Sequence, residues 1–170
     1  VIVNPLPTAT VAGNITVCLN DAAPNITFTG AGSTAPYTFT YNINGGAPLT
    51  VSTTLGNSIT VAVPTNISGT FIYNLLSVQD ASSTTCSQNQ SGSATVIVKD
   101  LPTATIAGTI NVCLNAPSPN ITFTGSVGTA PYIFTYNING GAPLTVTTTV
   151  GSSVTVAAPT TAVGTFIYNL

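Results

Sequence analysis

The stretch YTFTYNI at residues 37–43 decides the fold class of this chain. Its odd-numbered residues are aromatic or aliphatic and its even-numbered residues are polar. This period of two is typical of a β-strand with one buried face. Asn44, Gly45 and Gly46 follow directly, and these residue types favour a tight turn because they tolerate positive φ. The stretch therefore predicts a strand that ends in a turn.

Similar patterns continue on both sides of this stretch. Thr, Val, Ile, Phe and Tyr dominate, turn-forming residues cluster about every 8–12 residues, and no stretch has helical spacing over three turns. We predict the other strands of this region at residues 8–12, 15–19, 25–30, 49–53, 58–63, 70–78 and 94–98. Such short, evenly spaced strands favour an all-β, immunoglobulin-like sandwich of two sheets.

The inward-facing positions of these strands give a predicted core. It consists of Val11, Ile15, Val17, Ile26, Phe28, Tyr37, Phe39, Tyr41, Ile43, Leu49, Val51, Ile59, Val61, Phe71, Tyr73, Leu75, Val96 and Val98. Tyr73 has two interpretations. Its hydroxyl bonds back to the backbone, as a tyrosine of many sandwiches does, or its ring simply packs in the core.

The chain contains an internal repeat with an offset of 95 residues. Residues 6–75 align with residues 101–170 without a gap, and 52 of the 70 pairs are identical. A period of this length suits a small domain better than a solenoid turn. We therefore expect each repeat to have its own core.

The repeat predicts the domain organisation. Residues 1–5 are expected to end the last strand of a preceding repeat, residues 6–100 to form a complete repeat, and residues 101–170 to form a second repeat truncated before its last strand. Hardly any linker separates the strand at 94–98 from the one predicted to begin near Thr103, and Pro102 restricts its own φ. We expect the domains to stand end to end as a stiff rod.

The composition excludes several classes of function. The chain has one Lys or Arg, three Asp or Glu and no His, so little remains for acid–base catalysis and we expect no enzyme. One cation cannot neutralise a phosphate backbone, which excludes nucleic acid as a partner. No apolar run approaches the roughly 20 residues of a membrane helix, so membrane insertion is not expected, and neither is a cofactor.

Three cysteines are candidates for disulfide bonds. Cys18 and Cys113 occupy the same repeat position, whereas Cys86 occupies a second one. In an immunoglobulin-like strand order Cys18 and Cys86 lie at opposite ends of a domain. Three states stay open: a bond between repeats from the Cys18 position, a Cys18–Cys86 bond within one repeat, and free thiols. Metal binding is not expected because the thiols are too few and His is absent.

The charged residues Asp21, Asp80, Lys99 and Asp100 are interpreted as solvated loop charges. A calcium site between domains usually needs several clustered carboxylates, whereas Asp21 aligns with Ala116 and Asp100 aligns with Pro5, so neither carboxylate recurs at its repeat position. Rows of Thr-x-Thr raise ice binding as a possibility, but Thr suits the solvent face of any strand. We interpret these rows as strand surface.

Several motifs together resemble a known family of repeats. The segments PTAT at residues 7–10, APYTFTYN at 35–42, GTFIY at 69–73 and SVQD at 77–80 are similar to the repeats of SprB-type gliding-motility adhesins of Bacteroidetes. The chain also resembles the polycystic-kidney-disease type of immunoglobulin-like domain. The adhesin resemblance implies type IX secretion, an extracellular filament at the cell surface, and attachment to a substratum during gliding.

The sequence leads to one main functional hypothesis and two alternatives. The main one is the repetitive stalk of a cell-surface adhesin, whose partners are neighbouring repeats of the same chain, lateral copies in a filament, and a substratum or polysaccharide. The alternatives are a polysaccharide-binding module, which needs exposed aromatic side chains, and a structural fibre or surface-layer subunit without an adhesive role.

Overall fold

The fold is all-β. The computed structural model describes residues 3–170, and every regular element within them is a strand. The chain divides into two compact units, Val1–Lys99 and Asp100–Leu170, termed unit 1 and unit 2 below. Of the strand end expected at residues 1–5, Val1 and Ile2 lie outside the described residues, and residues 3–5 belong to no strand.

Unit 1 contains nine strands. They are β1 (Thr8–Ala12), β2 (Ile15–Cys18), β3 (Asn25–Ala31), β4 (Thr38–Ile43), β5 (Leu49–Ser52), β6 (Ser58–Ala62), β7 (Gly69–Gln79), β8 (Ser87–Asn89) and β9 (Ser93–Lys99). Eight of them coincide with predicted strands to within one residue at each end. The short β8 was not predicted, because Ser, Gln and Asn carry no strand signal of their own.

Two sheets form unit 1. One has the order β1-β3-β6, and the other has the order β2-β9-β7-β4-β5 with β8 paired to β7. This is the A-B-E and G-F-C order of an immunoglobulin-like sandwich. All pairings are antiparallel except that of β2 with β9, which is parallel.

The chain crosses from one sheet to the other between β1 and β2. Gly13 has a φ of 130° at this crossing, and a Cβ there would lie 2.6 Å from the Asn25 carbonyl oxygen. Only glycine suits both the conformation and the close approach. The Asn14 side chain then accepts a hydrogen bond of 2.7 Å from the Thr95 backbone N–H, which ties the crossing to β9.

The core of unit 1 lies between its two sheets. Phe28 of β3 faces β4, with ring centroids 5.7 Å from Phe39 and 4.9 Å from Tyr41. Thirteen buried residues form the cluster, and alternation along each strand brings them to the same face. They are Ala9, Ile26, Phe28, Tyr37, Phe39, Tyr41, Val63, Tyr73, Leu75, Val78, Ala94, Val96 and Val98.

Two predicted core residues are wrong. Ile15 is 46% exposed and Leu49 is 43% exposed. Both lie in the outermost strands of the larger sheet, β2 and β5, where a side chain has a neighbouring strand on one side only. The alternation of polar and apolar residues does not distinguish an outer strand from a central one.

Unit 2 contains six strands. They are β10 (Thr103–Ala107), β11 (Asn120–Ser126), β12 (Ile133–Ile138), β13 (Leu144–Thr147), β14 (Ser153–Ala157) and β15 (Tyr168–Asn169). They form the sheets β10-β11-β14 and β13-β12-β15. Phe123, Phe134 and Tyr136 form the buried core. Residues 110–113, the counterpart of β2, are not in a strand. Of residues 164–170, which correspond to residues 69–75 in β7, only Tyr168 and Asn169 form a strand.

Candidate functional site

Reactive side chains are sparse on this fold. Within residues 3–170, no three His, Cys, Asp or Glu side chains are grouped so that they could share a metal ion. In the same residues no helix is long and apolar enough to cross a membrane. The positions that remain to be described are the cysteines, one buried carboxylate, the hydroxyl-bearing outer faces of the sheets, and the aromatic side chains.

No disulfide bond joins any two of Cys18, Cys86 and Cys113. Cys18 ends β2 and pairs in register with Lys99 at the end of β9. Cys86 lies near the far end of β7, because its carbonyl oxygen accepts a hydrogen bond of 3.0 Å from the Asp80 backbone N–H. Strand β7 starts opposite Val98 and has eleven residues, so it spans about 33 Å.

This separation answers one question that the sequence left open. A disulfide bond needs Cα atoms within about 7 Å of each other, whereas Cys18 and Cys86 lie at opposite ends of the longest strand of unit 1. A bond between them within unit 1 is therefore excluded. A bond between repeats from the Cys18 position stays a prediction.

The interpretation of Asp80 as a solvated charge is wrong. Its side chain is only 4% exposed, and both carboxylate oxygens accept hydrogen bonds. The Ser33 hydroxyl donates to one oxygen, and the Ser82 hydroxyl and backbone N–H donate to the other at 2.8 and 3.2 Å. A buried carboxylate is tolerated when hydrogen bonds satisfy it. Asp80 can be buried because the neighbouring loops supply these donors.

Asp80 joins two loops, one between β3 and β4 and one between β7 and β8. The pKa of Asp80 is held below its usual value, mainly by the hydrogen bond from Ser33 and further by bonds from Ser82 and from the Cys86 backbone. Burial of the carboxylate acts in the opposite direction and raises the pKa. Beside it, the Ala81 backbone N–H donates to the Thr34 carbonyl at 3.1 Å. The carboxylate therefore links the two loops through hydrogen bonds.

A tyrosine whose hydroxyl bonds back to the backbone is present, but it is Tyr37. Its hydroxyl donates to the Ser33 carbonyl at 2.5 Å, and its ring packs directly over Gly30, where a Cβ would lie 2.5 Å from the ring. Tyr73 instead packs in the core, with its ring centroid 6.0 Å from that of Tyr41. The spacing between Gly30 and Tyr37 is a signal that sequence analysis missed.

The outer faces of the sheets carry hydroxyl groups in rows. In the smaller sheet of unit 1, Thr10, Thr29 and Ser58 are aligned across β1, β3 and β6, and the last two hydroxyls lie 2.8 Å apart. In unit 2 the equivalent hydroxyls of Thr124 and Ser153 lie 3.0 Å apart. These faces offer hydrogen-bonding groups with no charge.

The aromatic side chains point away from solvent. Among residues 3–170, all six Phe and six Tyr are buried or partly buried, and none is exposed. A sugar-binding platform uses exposed rings on which the sugar can stack. Eleven of the twelve rings instead lie in or against the cores of the two units, and the twelfth, Phe166, is partly buried.

The fold is similar to that of solved bacterial adhesins. One is a Ca²⁺-stabilised adhesin that helps an Antarctic bacterium reach out and bind ice, with a TM-score of 0.52 and 17% identity over 93% of this chain. Another is a 1.5-MDa bacterial ice-binding adhesin studied for its retention at the host cell surface, with a TM-score of 0.47 and 12% identity over 92% of this chain.

This likeness concerns the fold. The chain spans 42% of the first adhesin structure and 55% of the second. No protein-family model and no curated protein matches the sequence. The all-β class predicted from the sequence is confirmed.

Proposed function

We propose that this chain is part of the repetitive stalk of a cell-surface adhesin filament, in which repeats set length and stiffness. The observation that carries the proposal is the pair of near-identical sequences, each folded around a core of its own. A domain that folds by itself can be repeated many times, because each added copy brings its own stabilising burial. Repetition of such domains therefore lengthens a protein without requiring a new fold.

The short connection between the units supports stiffness. Strand β9 ends at Lys99 and β10 begins at Thr103, so only Asp100, Leu101 and Pro102 connect them. A segment of three residues that includes proline has little conformational freedom compared with a glycine-rich linker. We propose that successive repeats stand end to end with limited bending.

The outer surface supports a place in a filament outside the cell. Rows of threonine and serine hydroxyls hydrate the sheets, and four charged residues in 170 give little electrostatic repulsion between neighbouring chains. Lateral packing of such rods is compatible with this surface. The resemblance to SprB-type repeats and the adhesin-like fold both support attachment to a substratum, and the resemblance further supports type IX secretion and gliding motility.

The alternatives have less support. Binding of a polysaccharide by each repeat would require exposed aromatic rings, and among residues 3–170 every ring is buried or partly buried. We do not propose an enzyme, because one Lys or Arg, three Asp or Glu and no His leave little for acid–base catalysis. A structural fibre without an adhesive role would consist of the same stiff repeats. It differs from the main proposal only in that the rest of the filament would not attach to a substratum.

The stiffness of the connection can be tested with two native cysteines. Cys18 and Cys113 are both exposed and occupy equivalent positions, so spin labels on them in a Cys86→Ser chain report the advance per repeat. We expect one narrow distance distribution centred at no less than about 35 Å, roughly the length of the eleven-residue β7. The control replaces residues 100–102 by a longer Gly/Ser linker, which should broaden the distribution.

A native distribution as broad as that of the linker control would contradict the stiff stalk. A narrow distribution at a short distance would contradict it as well, because the two units would then lie side by side. Far-ultraviolet circular dichroism of the labelled chains verifies that both units stay folded.

A further inference from the structure

Each unit contains one Asn-Gly pair at the same repeat position. The pairs are Asn44-Gly45, directly after β4, and Asn139-Gly140, directly after β12. An asparagine is chemically least stable when glycine follows it, because glycine has no side chain to hinder attack of its backbone nitrogen on the preceding side-chain amide. Each unit therefore has a site at which asparagine can be converted without an enzyme.

The conversion proceeds through a cyclic imide. The glycine nitrogen loses its proton to hydroxide and bonds to the asparagine Cγ, the Cγ–Nδ2 bond breaks, and the nitrogen leaves as ammonia with a proton from water. A water molecule then adds to one of the two ring carbonyls and opens the ring, which gives aspartate or isoaspartate. Water is the only co-reactant, and hydroxide makes the reaction faster at alkaline pH.

The Asn-Gly pair of unit 1 forms a tight turn. Asn44 has a φ of 52° and Gly45 a φ of 73°, and the Gly46 N–H donates to the Ile43 carbonyl oxygen at 2.9 Å. Two positive φ angles in succession are those of a type I′ turn, for which Asn-Gly is a preferred sequence. The same pair thus favours the turn and carries the reactive amide.

The reactive amide of Asn44 is bound to β7. Its Nδ2 donates to the Thr70 carbonyl oxygen at 3.0 Å, and its Oδ1 accepts a hydrogen bond of 2.8 Å from the Ile72 N–H. The Asn44 backbone N–H also donates to the Ile72 carbonyl oxygen at 2.9 Å. Ring closure requires the side-chain amide to leave these partners.

The attacking nitrogen is held as well. The Gly45 N–H donates to Asn42 Oδ1 at 3.1 Å, and the same oxygen accepts a hydrogen bond of 2.9 Å from Asn74 Nδ2 of β7. Both reacting groups are therefore tied to β7, the amide directly and the nitrogen through Asn42. Since Asn44 is exposed, water reaches it, and these hydrogen bonds rather than burial prevent the reaction.

Unit 2 contains the same network. The Asn139 amide donates to the Thr165 carbonyl oxygen at 3.0 Å and accepts from the Ile167 N–H at 2.7 Å. The Gly140 N–H donates to Asn137 Oδ1 at 2.9 Å. The arrangement is thus a property of the repeat.

We propose that Asn44 and Asn139 are modification sites that are protected in the folded unit and convert to aspartate or isoaspartate when the unit opens. Each unit thereby keeps a covalent record of its own unfolding. The product does not restore the contact, because a carboxylate oxygen replaces the Nδ2 donor opposite the Thr70 carbonyl, and isoaspartate adds a carbon to the backbone of the turn. This inference is independent of the proposed stalk, since it depends only on contacts within each unit.

The protection can be measured by incubation of the full chain at mildly alkaline pH, with and without concentrated urea. Mass spectrometry and chromatography of chymotryptic fragments quantify aspartate and isoaspartate at Asn44 and Asn139. We expect both sites to convert at least about tenfold more slowly in the native chain, because a protected group reacts in proportion to the population of the open state. Equal rates with and without urea would overturn the proposal.

Matched core variants test whether each site reports its own unit. Phe39→Ala should accelerate conversion at Asn44 at least about tenfold and leave Asn139 unchanged, and Phe134→Ala should do the reverse, since each variant raises the open population of one unit. A variant unit that does not fold should convert at the rate measured in urea, which supports the proposal equally. Failure of a core variant to accelerate its own site, or acceleration of both sites by one variant, would contradict it.

The effect of the product on the fold has a separate test. Asn44→Asp should lower the melting temperature of unit 1 by about 4–8 °C, the shift expected for the loss of one hydrogen bond in a domain of this size. Asn57→Asp adds the same charge at another exposed residue and should have little effect. Calorimetry compares the two, and a wild-type melting temperature for Asn44→Asp would show that the product restores the contact, contrary to the proposal.

Discussion

Asp80 shows how one residue can hold two loops of unit 1 together. Its carboxylate accepts hydrogen bonds from Ser33, in the loop before β4, and from Ser82, in the loop after β7. Each bond to a charged acceptor is stronger than one between neutral groups. The two loops are distant in sequence, so this contact closes one end of the sandwich.

The lowered pKa of Asp80 predicts acid sensitivity. A group whose folded-state pKa is depressed contributes stability above its unfolded-state pKa of about 3.9, and this contribution is lost as the pH falls through the folded-state value. We therefore expect Asp80→Asn to lower the melting temperature of unit 1 at pH 7 and to have a smaller effect at pH 2. Calorimetry between pH 2 and pH 7 measures both.

The matched control for this prediction is Asp100→Asn, which removes an exposed carboxylate. It should leave the melting temperature at pH 7 nearly unchanged. An Asp80→Asn chain that keeps the wild-type melting temperature at pH 7 would show that the hydrogen bonds of the Asp80 carboxylate contribute nothing to the stability of unit 1.

At the level of the strands, the context of a segment outweighs its own sequence. Residues 15–18 form β2, whereas the very similar residues 110–113 form no strand. In unit 1, β9 is the only strand of its sheet that pairs with β2, and among residues 3–170 no strand pairs with residues 110–113. Strand propensity depends on pairing and burial more than on intrinsic preference.

This dependence predicts the effect of changes in β9. Val96→Ala removes buried methyl groups and should destabilise unit 1 by about 2 kcal/mol, with faster amide exchange in β2. Ile97→Ala changes the neighbouring outward residue and should cost less than about 1 kcal/mol. Chemical denaturation with hydrogen exchange compares the two variants, and equal losses would contradict the assigned faces of β9.

At the level of the whole molecule, the two units have separate cores of different size. The cluster of unit 1 has thirteen buried residues and that of unit 2 has three. Each cluster consists of residues of one unit only, and the burial of its apolar side chains stabilises that unit. We therefore expect two separate unfolding transitions.

Matched core variants test the independence of the units. Phe39 and Phe134 occupy the same repeat position, and each is buried in its own cluster. Truncation of either to alanine should cost about 3–5 kcal/mol. Phe134→Ala should abolish or lower only the unfolding transition of unit 2, and Phe39→Ala only that of unit 1, as followed by calorimetry. A single transition that both variants shift equally would mean that the units fold as one.

The sequence by itself determined the local features of this protein. The period of two along residues 37–43 and its equivalents located eight of the nine strands of unit 1 and most of their buried residues, among them Phe28 and Phe39. The offset of 95 residues revealed the repeat. These features follow from alternation within one strand and from turn residues between strands, both of which are local properties of the chain.

The tertiary structure alone decided what depends on neighbours in space. It buried Asp80, exposed Ile15 and Leu49, and placed Cys18 and Cys86 at opposite ends of a long strand. Each outcome depends on which strand lies beside which, and on which strand is outermost. Such pairing joins segments far apart in sequence, so no local pattern of residue types contains it.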